Sequence, residues 1–204
     1  MYTPRHNRVE DQATLVAFMQ AHSFAALVTH GEGGLRATHL PVIVETAGEQ
    51  VRLLAHLAKP NPQWRDFVPG GEVMVVFAEP HAYISPRHYE RLETVPTWNY
   101  AAVHAYGVPR LVEDRDEKYA QQMKLVALHD REYHARFPDL PREYIDKMLA
   151  GIVSFAIDVT RLDARFKLSQ EKLPVERERI IAELEASGES WAEETARLMR
   201  AHNR

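Results

Sequence analysis

A strict alternation of side chains between Trp98 and Tyr106 is the feature that most constrains the fold. In "WNYAAVHAY" every second residue from the tryptophan is Trp, Tyr, Ala, His or Tyr, whereas the residues between them are Asn, Ala, Val and Ala. Successive side chains of a β-strand point to opposite faces, so the segment predicts a strand with one aromatic face and one small face. The small face can pack closely against other strands. The aromatic face can meet a flat ligand, a partner subunit or the core.

Short apolar runs elsewhere in the chain predict more strands. Two runs flank the turn at Gly31–Gly34 and indicate a hairpin, and Pro41 places its second strand at a sheet edge or a bulge. "QVRLLAHLA" predicts a third strand, and "EVMVVFA" predicts a fourth that is buried on both faces. "HAYISP" predicts a separate short strand, and "GIVSFAIDVTRLDARFKLSQ" predicts a late one.

Helical periodicity appears in three places. Residues 10–22 predict a helix with Asp11 as N-cap, residues 114–136 predict one long helix, and residues 174–202 predict two helices hinged at Ser187–Gly188. Early strands, an interrupting helix and a late strand together predict an antiparallel barrel with helices outside it, of the mainly-β or α+β class.

Composition excludes several classes of protein. The chain has 204 residues, a formal net charge of −4 and no cysteine, so disulfides and thiolate metal sites are excluded and we expect a cytoplasmic protein. We also expect neither a signal peptide nor a membrane span, because no apolar run is long enough. The negative charge argues against autonomous DNA binding, although a basic patch assembled from distant segments stays open.

Several familiar catalytic and binding motifs fail on spacing or charge. "GEGGLR" lies between two strands and predicts a turn, not a dinucleotide site. A metal site of His39, His56 and His104 is conceivable, but ordinary hydrogen-bonded histidines are favoured and we expect no metal. The last two predicted helices resemble a helix-turn-helix, yet the second begins with several glutamates that DNA phosphates would repel.

Five segments carry a family resemblance that spans nearly the whole chain: "ATHLP", "HLAKPNPQW", "HAYISPRHY", "VPTWNYAAVHAYG" and "FKLSQ". Together they resemble the PaiB-type family of FMN-binding negative transcriptional regulators. That family is similar to the flavin-binding split β-barrels of pyridoxamine phosphate oxidases and small flavin reductases. The resemblance implies a homodimer with FMN held in clefts between its subunits.

The resemblance assigns cofactor contacts to the first two segments. Lys59, Asn61 and Gln63 lie at alternate positions in a proline-stiffened loop, and one cation with two amides suits a phosphate. The alternative is a surface loop in which Trp64 fills the core. From "ATHLP" the candidates are Thr38, His39 and Leu40, which would meet the pyrimidine edge of the flavin. The alternative here is an edge strand with a solvent-facing histidine.

The last two segments supply the remaining candidates. Trp98, Tyr100 and His104 would face the flavin ring, or else a dimer interface or the core. Lys167, Ser169 and Gln170 offer another cluster of donors. The family pattern leads us to expect Asn after this glutamine, whereas the chain has Glu171, an acid that would repel a phosphate.

The resemblance also sets the expected domains and the competing functions. Residues 1–170 would form the split-barrel domain, with a helical insertion at about 114–148, and residues 171–204 a helical hairpin packed on the barrel or the partner subunit. The first functional hypothesis is a dimeric FMN-binding transcriptional regulator. The second is a flavin oxidoreductase with a nicotinamide donor, in which His104 or His39 assists proton transfer. A third is a relative that has lost its flavin.

Overall fold

The computed structural model describes residues 1–202 and consists of seven strands and six α-helices. The strands are β1 Phe24–Gly31, β2 Gly34–Pro41, β3 Ile43–Ala47, β4 Gln50–Ala58, β5 Val73–Ile84, β6 Thr97–Val112 and β7 Ile152–Lys167. The helices are α1 Gln12–Ala21, α2 Arg115–His129, α3 Arg131–Arg136, α4 Arg142–Ala150, α5 Pro174–Glu185 and α6 Ser190–Ala201. Short 3-10 turns lie at Arg5–Asn7, Pro62–Asp66, Pro86–His88 and Phe137–Asp139.

The strands form one sheet in the order β2-β1-β5-β6-β7-β4-β3. The strand pairs β1–β2, β1–β5, β3–β4 and β4–β7 are antiparallel. The strands β2 and β3 stand at the two ends of this order, and within residues 1–202 no pairing between them closes the sheet. The predicted fold class, an antiparallel β-sheet of the split-barrel type with additional helices, is confirmed.

The β1–β2 hairpin follows the predicted turn. Gly31 pairs with Gly34, and Gly34 has a φ of +87°, a left-handed backbone that favours glycine. Pro41 is the last residue of β2, and β2 is an edge strand, so the proline removes no hydrogen bond from the interior of the sheet. The prediction of an edge position for this strand is confirmed.

One strand replaces the two that were predicted between residues 72 and 86. The strand β5 runs without a break from Val73 to Ile84, so the separation of "EVMVVFA" from "HAYISP" was wrong. The expected burial on both faces was also wrong, because Val73 and Val75 are buried whereas Met74 and Val76 are only half-buried. An unbroken apolar run resembles a fully enclosed strand in sequence, but here one of its faces is only partly covered.

The alternation along β6 is confirmed. Asn99, Ala101, Val103 and Ala105 are at most 2% exposed, whereas Trp98 on the other face is 52% exposed. The small side chains therefore form the packed face of the strand.

The helices α1, α5 and α6 agree with the sequence patterns, whereas two differences lie between residues 114 and 150: the predicted long helix is broken, and the periodicity did not predict α4. The backbone N–H of Thr14 donates to Asp11 Oδ2 at 2.9 Å, so Asp11 caps α1 as predicted. Gly188, with a φ of +73°, lies in the hinge between α5 and α6. The predicted single helix over residues 114–136 was wrong, because the chain breaks at Asp130, whose carboxylate accepts from the Tyr133 N–H at 2.9 Å and starts α3.

The chain divides into two compact units, and several strands contribute to both of them. Unit 1 comprises residues 1–18, 77–104 and the described chain from Asp163 onward; unit 2 comprises residues 19–76 and 105–162. Each unit has its own aromatic core contact, Phe18 with Phe166 in unit 1 and Phe67 with Phe155 in unit 2, both with ring centroids 5.0 Å apart. This division does not test the predicted domain boundary at residue 170, which stays a prediction. No helix in the described chain is long and apolar enough to span a membrane.

Candidate functional site

The loop that follows β4 is fastened to the β1–β2 hairpin by one buried amide. Gln63 is 1% exposed, and its Nε2 donates to the carbonyl of Leu27 at 3.0 Å and to that of Arg36 at 3.3 Å. Its Oε1 accepts from the hydroxyl of Thr38 at 2.5 Å. Because an unsatisfied buried amide is unfavourable, these three bonds hold residues 59–66 against the hairpin.

Asn61 completes this network. Its Oδ1 accepts from the Gln63 N–H at 3.0 Å and so caps the 3-10 turn Pro62–Asp66, while its Nδ2 donates to Thr38 Oγ1 at 3.0 Å. Three residues predicted as cofactor contacts, Thr38, Asn61 and Gln63, are therefore brought together by hydrogen bonds. Their polar groups bond chiefly to one another and to the backbone, and this stiffens the loop.

A buried carboxylate, which the sequence analysis missed, pins the far end of the same loop. Asp66 accepts from the hydroxyl of Thr29 at 2.7 Å and forms an ion pair with Arg36. The hydrogen bond from Arg36 holds the pKa of Asp66 below its usual range. A Cβ at Gly31 would overlap the Asp66 carboxylate, so a larger residue at this position would displace the buried carboxylate from its partners. Thirty residues separate the arginine from the aspartate in the chain, so no local pattern signals the pair.

Two cations of this loop face solvent. Lys59 is exposed, and among the described residues no hydrogen bond or ion pair of its ammonium is found, although its carbonyl accepts from the Trp64 indole at 3.3 Å. Arg65 is exposed as well, and its guanidinium carbon lies 5.3 Å from the centre of the Trp64 ring. Arg65 was not among the predicted site residues. The loop thus offers two positive charges on a rigid support, a chemistry that fits a phosphate.

The two other candidates on β2 differ in exposure. Leu40 is 4% exposed, so its side chain belongs to the core and only its backbone groups are candidates for a ligand. His39 is exposed, and its ring stacks on Phe24 with centroids 6.3 Å apart.

The aromatic candidates on β6 lie in unit 1. The Trp98 ring has its centroid 5.7 Å from that of His81 and 5.9 Å from that of Tyr83, both on β5. The guanidinium carbon of Arg165 lies 5.5 Å from the centre of the Tyr100 ring. His104 is half-buried, and loss of solvation lowers its pKa, so its imidazole is neutral at physiological pH.

The donors at the end of β7 bond to other groups of unit 1. The Lys167 ammonium donates to the hydroxyl of Thr97, and partial burial lowers its pKa. Ser169 is 1% exposed and donates to Asn99 Oδ1 at 3.0 Å. Gln170 accepts from the Leu168 N–H at 2.8 Å and donates to the Phe166 carbonyl.

The histidines do not assemble into a metal site. Within residues 1–202 no group of three or more His, Asp or Glu side chains could hold a metal ion. His56 instead has its Nδ1 3.4 Å from the Gln122 amide nitrogen, and burial lowers its pKa.

The fold has solved relatives of low sequence identity. It matches the flavocytochrome Anf3 from Azotobacter vinelandii with a TM-score of 0.58 and 14% identity, over 81% of this chain and 72% of that one. It also matches the FAD and heme binding protein from Mycobacterium smegmatis with a TM-score of 0.56 and 16% identity, over 79% of this chain and 73% of that one. The architecture is therefore one that flavin-binding proteins use.

The sequence itself places the chain in a family. Residues 1–161 match the family model described as "Putative FMN-binding domain". The chain is also 36% identical to the protease synthase and sporulation protein PAI 2 of Bacillus subtilis over 203 residues, which are 98% of this chain and 96% of that protein. The chain belongs to the PaiB-type family of FMN-binding proteins.

Proposed function

We propose that this protein is a homodimer that binds FMN and acts as a negative transcriptional regulator. Family membership and the likeness to the B. subtilis protein support this function. The structural observation that favours it most is the loop of residues 59–66, whose buried polar network leaves two cations exposed.

The phosphate of FMN would bind at this loop. Lys59 and Arg65 would donate charge-assisted hydrogen bonds, which are stronger than bonds between neutral groups. Thr38, Asn61 and Gln63 would act mainly through the network that holds the loop, so little chain entropy is lost on binding. His39 and the backbone of Leu40 would contact the pyrimidine edge of the ring.

The aromatic face of β6 would meet the isoalloxazine ring or the partner subunit. Trp98 is exposed and Tyr100 and His104 are half-buried, so part of each side chain reaches solvent on this face. Lys167, Ser169 and Gln170 stay proposed contacts, and their internal hydrogen bonds would have to be shared with the cofactor.

Repression would act through a partner or through a basic surface that forms on dimerisation. The net charge of −4 supports this indirect route, because a monomer with this charge attracts phosphates poorly. The C-terminal helical hairpin is proposed to pack on the barrel or the partner subunit.

A flavin oxidoreductase is a second candidate, and His104 favours it. Its neutral imidazole lies on the same strand as Trp98 and Tyr100, where it would accept a proton from a bound substrate. Bound FMN would supply the capacity to accept hydride from a nicotinamide.

One set of measurements on the purified full chain tests both candidates. We expect FMN fluorescence to be quenched on titration and sedimentation to give the mass of a dimer. A monomer that leaves FMN fluorescence unchanged would refute the proposal. DNA retardation that survives physiological salt would support direct regulation, whereas retardation only at low salt is unspecific. Absence of NADH oxidation by the FMN-loaded protein with several acceptors would count against the oxidoreductase.

A further inference from the structure

Unit 1 contains a cleft of about 770 Å³ that is lined by strands β5 and β6 and by the α5–α6 hairpin. Four of its lining side chains are aromatic: His81, Tyr83, Trp98 and Trp191. The rings of His81 and Trp191 meet edge to face, with centroids 4.6 Å apart. The volume lies within the range of clefts that bind small molecules, about 300–1,000 Å³.

The four rings remain available to a ligand. Tyr83, Trp98 and Trp191 are 53%, 52% and 44% exposed, and His81 is exposed as well, although each of the four rings also contacts another of them. Aromatic side chains of this size are ordinarily covered, because each removes a large apolar area from water when it is buried.

The two carboxylates that line the cleft are its acidic groups. Glu183 and Glu189 line it, and none of the described lining residues is a lysine or an arginine. Glu183 is partly neutralised, because it pairs with Arg87 and its Oε2 lies 3.2 Å from His88 Nε2. Glu189 is exposed, and within residues 1–202 no ion pair of its carboxylate is found.

We propose that this cleft binds a small organic cation of the ammonium class. A cation is attracted to the negative face of an aromatic ring, most strongly to tryptophan, and a nearby carboxylate adds to that attraction. The competing ligand is an anion at the N-terminus of α6, but the carboxylate of Glu189, unpaired among the described residues, would repel it.

The inference does not depend on FMN binding. The cleft shares only Trp98 with the proposed cofactor contacts, whereas Trp191 and Glu189 belong to the cleft alone. Variants at these two positions can therefore be examined while FMN titration serves as an independent control.

Calorimetric titration of the full chain with choline chloride is the first test. The neutral isostere 3,3-dimethylbutan-1-ol has the same shape without the charge, so it separates a cation site from an apolar one. We expect choline to bind at least about fivefold more tightly than the alcohol, as cation–π attraction at partly exposed rings predicts. Equal affinities, or no binding of choline at millimolar concentrations, would overturn the proposal.

Two variants then locate the site. Glu189→Gln should weaken choline binding about threefold, as for an exposed ion pair, and Trp191→Leu about fivefold or more. Glu193→Gln removes the same charge from the first turn of α6 without lining the cleft, and we expect it to bind choline as the wild type does. Equal loss of choline affinity in both glutamine variants would refute the site. If the leucine variant unfolds, Trp191→Phe is measured instead; it keeps an aromatic face and should retain most of the wild-type affinity.

Discussion

Two segments at strand ends, residues 59–63 after β4 and residues 167–170 at the end of β7, each combine a lysine with neighbouring polar side chains. In the first, the lysine is exposed and the amide of Gln63 is buried. In the second, Lys167 donates to Thr97 and Ser169 is buried against Asn99. The comparison teaches that the charged group of a polar motif can either face solvent, where a ligand can reach it, or form a hydrogen bond within the fold. The burial of the individual side chain decides between the two.

The largest expected effect comes from removing the amide that holds the first segment. Gln63→Ala should lower the free energy of unfolding by about 3 kcal/mol, because two carbonyls and the Thr38 hydroxyl lose a buried partner. Urea unfolding measures it. Gln122→Ala is the matched control, since that half-buried amide has one contact at 3.4 Å to His56, and it should change stability by less than about 1 kcal/mol. Similar losses in both would show that the network has no special role.

The exposed lysine of the first segment should matter for FMN and little for stability. Lys59→Ala should weaken FMN binding at least about tenfold, or 1.4 kcal/mol, because a charge-assisted contact to the phosphate is lost. Fluorescence titration measures the dissociation constant. Lys147→Ala removes the same charge from the exposed side of α4 and should leave it unchanged. An unaltered titration curve for Lys59→Ala would remove this residue from the phosphate site.

Ser169 in the second segment should, unlike Lys59, contribute to stability. Ser169→Ala should destabilise the fold by about 1 kcal/mol, because the buried Oδ1 of Asn99 loses its donor. Ser190→Ala is the control, since that serine is exposed at the start of α6 and no hydrogen bond of its hydroxyl is found among the described residues. This change should alter stability by less than about 0.5 kcal/mol. Thermal unfolding of both variants measures this difference. Equal unfolding midpoints for the two variants would show that the Ser169 hydroxyl does not stabilise the fold.

The smallest expected effect tests whether Lys167 is a cofactor contact at all. Its ammonium is already bonded to Thr97, so Lys167→Met should weaken FMN binding by less than about threefold. The titration used for Lys59 applies here too. A loss of FMN affinity as large as that of Lys59→Ala would mean that the Lys167 ammonium leaves the Thr97 hydroxyl and binds the phosphate. The two segments would then not differ in whether their lysine binds the cofactor.

Most of the strand pattern was predictable because it depends on local chemistry. The alternation along β6 and the glycine turn of the first hairpin follow from side-chain spacing and backbone freedom alone. The break at Asp130 was not predicted, since the charged and periodic sequence of α2 continues through it. In the site, Thr38 and Gln63 were candidates from the sequence, but their bond to each other was not.

The amino-acid sequence by itself determined the two faces of β6, the turn of the first hairpin and the family of the chain, because strand alternation, glycine turns and shared motifs are local features of the chain. Only the tertiary structure decided that Arg36 pairs with Asp66, that Gln63 is buried and that Lys59 is exposed. The physical reason is that solvation and pairing of a polar group depend on neighbours distant in the chain, and folding alone brings these together.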